Sequence, residues 1–134
     1  KLGHGAAPLE AFLDAGVPVG LGSDSVASNN VCDILEEARF ASLTARNREG
    51  SGRFITAREM LEVATIGGAR ALRMEDRIGS LEVGKQADLT IVSLTDIAQQ
   101  PVNDVHAALV FAANARDVRM TMVAGRVIHQ YLSS

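Results

Sequence analysis

Residues 17–22, Val-Pro-Val-Gly-Leu-Gly, constrain this chain more than any other stretch. The run is short, almost wholly apolar and bounded by glycines. That is the pattern of a strand covered on both faces, as in a parallel sheet backed by helices. Such a strand cannot satisfy its backbone hydrogen bonds or cover both faces alone. The other strands of its sheet are not found in the sequence, and an amino-terminal portion is the natural supplier. The chain opens Lys1-Leu2-Gly3 without an initiator Met, so it reads as a segment of something longer.

The neighbouring elements fit an αβ unit of a wound or barrel fold. Pro8 to Ala15 reads as a helix, with Pro8 at its first position, Gly16 just past its end, and Leu9, Phe12 and Leu13 on its buried face. After the apolar run comes a polar loop, Ser23 to Asn30, and then helical spacing from Val31 to about Arg46. Ile34, Leu35, Ala38, Ala41, Leu43 and Ala45 form the apolar side, with Glu36, Glu37 and Arg39 outside. Residues 47–53 read as a flexible connection. Thr56-Ala57-Arg58-Glu59 is a capping box that opens the next helix. Met60, Leu61, Ala64 and Thr65 make its packing face, Gly67-Gly68 interrupts it, and Ala69 to Leu72 adds a further turn. Beyond Asp76 the period becomes that of strands: 81–84 leading into a turn, 88–94 rich in β-branched residues, and 117–128 as two strands joined at Ala124-Gly125. Residues 105–111 read as a short helix.

Composition excludes several classes of partner. The 134 residues are 47% hydrophobic and 22% charged, with a net charge of -3 and scattered basic residues. Neither nucleic acid nor an anionic membrane suits that balance. No apolar run approaches the roughly 20 residues of a membrane-spanning helix. Cys32 is the single cysteine, which excludes an internal disulfide and a Cys-based zinc cluster. It fits a reducing, cytoplasmic compartment and reads as a small buried apolar side chain.

Asp24 is the sharpest chemical feature. It stands at the carboxyl end of the apolar run, where barrels and open α/β sheets place their active residues. A carboxylate there can ligate a divalent metal or take a proton from activated water. The competing reading is a turn cap formed by its side chain. Ser28 and Asn29 either line a pocket or cap the helix that follows. Lys85 follows Gly84 without the glycine-rich loop of a phosphate cradle, and Ser23 and Ser25 lack a helix-borne base for a serine triad.

These residues carry a family resemblance. Gly20-Leu21-Gly22-Ser23-Asp24, followed by Ala27-Ser28-Asn29-Asn30, resembles the G-[TS]-D…A-S-N-N segment of the amidohydrolase superfamily. The similarity is greatest to the branch of adenosine-derivative, cytosine, guanine and triazine aminohydrolases and chlorohydrolases. Thr65 to Leu72 is similar to that family's T-x-x-G-A-x-A-L helix. Ile78 to Leu89 is similar to its I-G-S-L-x-x-G-K-x-A-D-L stretch, and Val123 to Ile128 to its V-x-G-x-x-V hairpin.

The resemblance implies an α/β fold: residues 1–77 as the last portion of a (β/α)8 TIM-type barrel, and residues 78–134 as part of a small β-sandwich. It implies a metal-dependent hydrolase that cleaves a non-peptide carbon–nitrogen bond by metal-activated water, with deamination of a nitrogen heterocycle as the first expectation. A chlorohydrolase, a cyclic amidase or a non-catalytic, self-associating module are the alternatives. Asp24 takes the role of metal ligand and proton shuttle. His4 lies in a segment similar to the loop after the seventh barrel strand and is, with Ser28 and Asn29, a candidate substrate contact; an exposed loop histidine is the competing reading. The expected cofactor is one divalent metal, zinc ahead of iron. The expected partners are a small-molecule substrate and further copies of the chain.

The sequence departs from the family pattern in one decisive respect. His4, His106 and His129 form no H-x-H pair and do not stand in the positions of the family's ligand histidines. One carboxylate falls short of the roughly three protein ligands a catalytic metal needs. The chain alone is therefore expected to hold no metal stably and to be inactive.

Overall fold

A computed structural model describes residue 3, residues 5–47 and residues 52–131. His4 lies outside the described residues, as does most of the 47–53 connection. Among the described residues, six α-helical segments and three strands form a helical layer with a small sheet beside it. The helical segments are α1 (Leu9–Asp14), α2 (Val26–Asn29), α3 (Ile34–Arg46), α4 (Ala57–Glu62), α5 (Gly68–Ala71) and α6 (Val105–Ala107). The strands are β1 (Leu89–Val92), β2 (Val118–Val123) and β3 (Arg126–Gln130).

The apolar run at 17–22 is the main departure from the sequence reading. It pairs with no strand among the described residues, and Val17 is 46% exposed. Only Val19 and Leu21 pack against the core. The physical reason is the one that makes the run diagnostic: among the described residues no neighbouring strand accepts its ladder. What holds it is close contact with the helix behind it. A Cβ on Gly20 would stand 2.7 Å from Gly68 Cα, and one on Gly67 would stand 2.6 Å from the Val19 carbonyl oxygen. Three glycines thus let two backbones touch.

That helix is also more continuous than expected. The Thr56 capping box is present, with Thr56 Oγ1 accepting from the Glu59 amide at 3.2 Å and Glu59 Oε2 accepting from the Thr56 amide at 2.9 Å. The Thr56 amide first, then the Thr56 hydroxyl and the Arg53 guanidinium, hold the Glu59 carboxyl below its ordinary pKa. From α4 the chain runs through a π-helical turn, Val63–Gly67, directly into α5, with helical torsions at Gly67 and Gly68. Gly67-Gly68 therefore does not interrupt the helix. The extra residue of the π turn rotates the packing face, so that Met60, Val63 and Ala69 are buried while Thr65 is exposed and donates to the Leu61 carbonyl at 2.6 Å.

Four further expectations are corrected. Pro8 is the N-cap of α1 and not its first residue, and Phe12 is exposed. Helix α3 begins at Ile34, because Asp33 caps it by accepting from the Leu35 and Glu36 amides; its buried face is Ala38, Ser42 and Ala45, with Ile34 and Leu43 outside. Cys32, just before that cap, is exposed. Residues 81–84 form turns without a strand partner.

The core is formed by Leu9, Ala38, Ala45, Ile55, Met60, Val63 and Val110. Val110 arrives from the π-helical turn Ala108–Ala112 that continues α6, so contact with the helical layer crosses the expected division at residues 77 and 78. Arg39 fastens this contact, donating to the Val110 carbonyl at 3.2 Å and to the Ala113 carbonyl at 2.5 Å. Arg46 stacks between Phe54 and Phe111, with its guanidinium carbon 4.1 and 4.8 Å from the ring centres.

The sheet contributes nothing to that core. Its order is β1-β2-β3, antiparallel throughout, with Leu89 opposite Met122 and Thr121 opposite His129. Ala124 and Gly125, both with positive φ (48° and 78°), make the tight turn between β2 and β3. His129, like all of β3, is exposed.

Candidate active-site loop

Asp24 sits two residues beyond the apolar run, on a loop that folds back on itself through α2. Its φ is +56°, a left-handed conformation that Asp tolerates better than most residues, and Asn30 at the other end of the loop has φ +74°. Each left-handed non-glycine residue costs on the order of 1–3 kcal/mol and persists only where its surroundings over-determine it. Here the surroundings are hydrogen bonds.

Ser28 Oγ donates to Asp24 Oδ2 at 2.9 Å. An ionised carboxylate only accepts, so the single Ser28 hydroxyl proton is committed to it. The 2.8 Å contact between the Ser25 and Ser28 hydroxyls is therefore a donation from Ser25 to Ser28. Ser25 Oγ in turn accepts from the Ser28 amide at 3.3 Å, as the cap of α2. The result is a directed chain, Ser25 to Ser28 to Asp24, in which each bond polarises the next. Among the described residues Asp24 Oδ1 accepts no hydrogen bond, and the side chain is exposed.

Asn29 is tied more heavily. Its Nδ2 donates to the Ser23 carbonyl at 3.1 Å, to the Val31 carbonyl at 3.2 Å and to Glu37 Oε1 on α3. The two amide hydrogens are thus shared among three acceptors within the protein. Of the two loop residues singled out beside Asp24, Ser28 meets its carboxylate and Asn29 meets the backbone on either side of the loop, and the side-chain donors of both are engaged within the protein. Neither residue caps the helix that follows, as the alternative reading had it: Asp33 caps α3, Ser25 caps α2, and Ser28 and Asn29 lie within α2.

Helical spacing puts Glu37 on the solvent side of α3, and nothing in the sequence points from it to Asn29. Asp33 was missed despite a local signal, since Asp33-Ile34-Leu35-Glu36 has the form of a helix start. Its second oxygen accepts from the Ala115 amide at 2.7 Å, and the residue is only 6% exposed. No group of three or more His, Cys, Asp or Glu residues able to hold a metal exists among the described residues. A lone carboxylate with one oxygen left over fits a single ligand of a metal centre, not the whole of one.

Residues 1–128 match the model of the amidohydrolase family. The chain belongs to that family. A curated relative, the 5-methylthioadenosine/S-adenosylhomocysteine deaminase of Moorella thermoacetica, is 43% identical over 128 residues, covering 96% of this chain and 30% of the relative. The structure of an adenosine deaminase from Xanthomonas campestris with bound zinc superposes with a TM-score of 0.85 at 40% identity, over 90% of this chain and 28% of that one. Atrazine chlorohydrolase from Arthrobacter aurescens, complexed with zinc, gives a TM-score of 0.83 at 31% identity, over 96% and 29%. The chain thus spans about 30% of the length of the curated relatives it matches, and its fold is a portion of the amidohydrolase fold.

Proposed function

We propose that this amidohydrolase segment supplies Asp24 to the catalytic centre of a metal-dependent enzyme that deaminates a nitrogen heterocycle, with an adenosine-type nucleoside as the substrate class. The observation that carries the reading is the Asp24 carboxylate itself. It is exposed at the carboxyl end of residues 17–22, with Oδ2 fixed by Ser28 and Oδ1 left without a hydrogen bond among the described residues. Relatives named as deaminases of methylthioadenosine and adenosine support the substrate class, and zinc in two similar structures supports a divalent metal, with zinc placed ahead of iron.

On this reading residues 1–77 close a (β/α)8 barrel, and residues 78–134 give their strands to a β-sandwich. A bound metal would supply a water acidic enough to ionise near neutral pH. Asp24 would stand as one ligand. It would also take the nucleophile's proton on its carboxylate and pass it to the departing amine nitrogen, a role that asks for a general base held in one orientation. Ser28, by occupying Oδ2, sets that orientation. His4, with the Asn29 carbonyl oxygen, remains for contact with substrate.

Removal of metal from the full-length protein with a chelator should abolish ammonia release from an adenosine derivative, and readdition of zinc should restore it. Undiminished ammonia release without metal would refute the assignment. Chloride released from a chlorotriazine, with no ammonia from any nucleoside, would move the protein to the chlorohydrolase alternative.

We also infer that the 134-residue chain by itself self-associates. Its accessible surface is 8987 Å², against about 6,800 Å² for a compact monomer of its mass. Phe40, Phe54, Leu72 and Ile128 are among the large apolar side chains on that surface. Size-exclusion chromatography with light scattering should report a mass well above the 14.2 kDa of one chain. A sharp peak at the single-chain mass would contradict this.

A further inference from the structure

We propose that Glu37 is a positioning residue for Asp24, acting through the side chain of Asn29; the inference rests on the catalytic reading of Asp24 given above. The loop from Ser23 to Val31 carries two left-handed residues and is closed at its neck by one amide group. Asn29 Nδ2 reaches the carbonyl of Ser23, immediately before Asp24, and that of Val31, beyond the end of α2. Those two bonds close the loop upon itself but do not fix it in space. The third bond, to Glu37 Oε1, does.

Glu37 is a firm anchor because α3 is fixed on both sides of it. Asp33 caps the helix one turn before and accepts from the Ala115 amide. Ala38, the next residue, is fully buried, and Arg39 donates to the Val110 and Ala113 carbonyls. Glu37 also lines an open groove beside Gly20, Leu21 and Gly22, the residues that lead into the Asp24 turn. A carboxylate acceptor makes its bond to an amide roughly twice as strong as a neutral one would be. Asp24 is therefore tied from two directions: its own Oδ2 by the serine pair, and the backbone before it by the Asn29–Glu37 clamp.

A glutamate that served only as a solvated helix residue could be replaced without consequence. A clamp behaves otherwise. In the full-length protein, Glu37→Leu removes the acceptor. It is expected to lower kcat and weaken zinc retention against a competing chelator, each by about tenfold or more, with KM unchanged. Glu37→Gln keeps a carbonyl oxygen for Asn29 and should recover most of both quantities. Asn29→Ala should move kcat and zinc retention in the same direction as Glu37→Leu. The double variant should lose no more than the worse single one, because the two residues act in series. Should Glu37→Leu fail to fold, Asn29→Ala and Glu37→Gln carry the test. Zinc retention and kcat unaltered in Asn29→Ala, or losses that add in the double variant, would overturn the clamp. Asp24→Asn run beside them separates the two claims. If it is inactive while Glu37→Leu matches the parent, only the clamp fails; if Asp24→Asn itself turns over normally with metal bound, the catalytic reading fails beneath it.

Discussion

Asp24→Asn in the full-length protein is expected to cut turnover at least about a hundredfold, the lower end of what positioned acid–base groups contribute, while leaving the thermal unfolding midpoint where it was. The substitution is nearly isosteric, and Asn shares the tolerance of Asp for the left-handed φ of +56° observed at this position. The amide oxygen can still accept from Ser28 Oγ, which donates at 2.9 Å to Oδ2 in the parent protein. Loop geometry is thereby preserved. What is lost is a group that can take up a proton and carry negative charge towards a metal. The loss should appear in kcat, measured as ammonia released at saturating substrate, with a weaker effect on KM. Asp24→Ala would be a poorer probe, because it also removes the acceptor that organises Ser28 and Ser25. Near-parent turnover in Asp24→Asn would leave the carboxylate as a turn cap, the alternative its loop position allows.

Legibility in the sequence followed the range of the interactions. The Thr56 capping box and the hairpin at Ala124-Gly125 are local chemistry, and both stand where the residues place them. Asp24 stands out as a candidate for a related reason: an acidic residue after a short apolar run is a local pattern. What could not be read was how its loop is tied to the rest of the fold. Glu37 is eight positions from Asn29, and Ala115 is 82 positions from the Asp33 carboxylate that it meets. Such pairings depend on how α3 lies against its neighbours. Periodicity misled for the same reason. In α3 the small residues Ala38, Ser42 and Ala45 face inward, while Ile34, Phe40 and Leu43 point out. An apolar stripe identifies surface to be covered, not what covers it. The run at 17–22 shows this most plainly, since its composition asks for strands on both sides and the described residues offer none.

The glycine contacts behind that run lead to an asymmetric expectation. Gly20→Ala would place a Cβ 2.7 Å from Gly68 Cα and 3.4 Å from Gly68 N, both backbone atoms that cannot rotate away. Gly67→Ala would place one 2.6 Å from the Val19 carbonyl oxygen. Each should cost about 1–3 kcal/mol, the usual penalty for overpacking. Gly68→Ala faces the same neighbour from the other side, yet its Cβ would meet Gly20 Cα at 3.8 Å, an ordinary contact. It also replaces a helical glycine, worth up to about 1 kcal/mol in its favour, so the variant should match or exceed the parent in stability. Denaturant midpoints of the three full-length variants give the test. Equal losses at Gly20 and Gly68, or none at Gly20, would mean that the two backbones do not meet as described. The contact bears on function because Asp24 lies only four residues beyond Gly20. A run pushed off the helix by about an ångström carries the carboxylate with it, and misplacement on that scale can cost about a hundredfold in rate. Gly20→Ala should therefore lose turnover even under conditions where it remains fully folded, and Gly68→Ala should not.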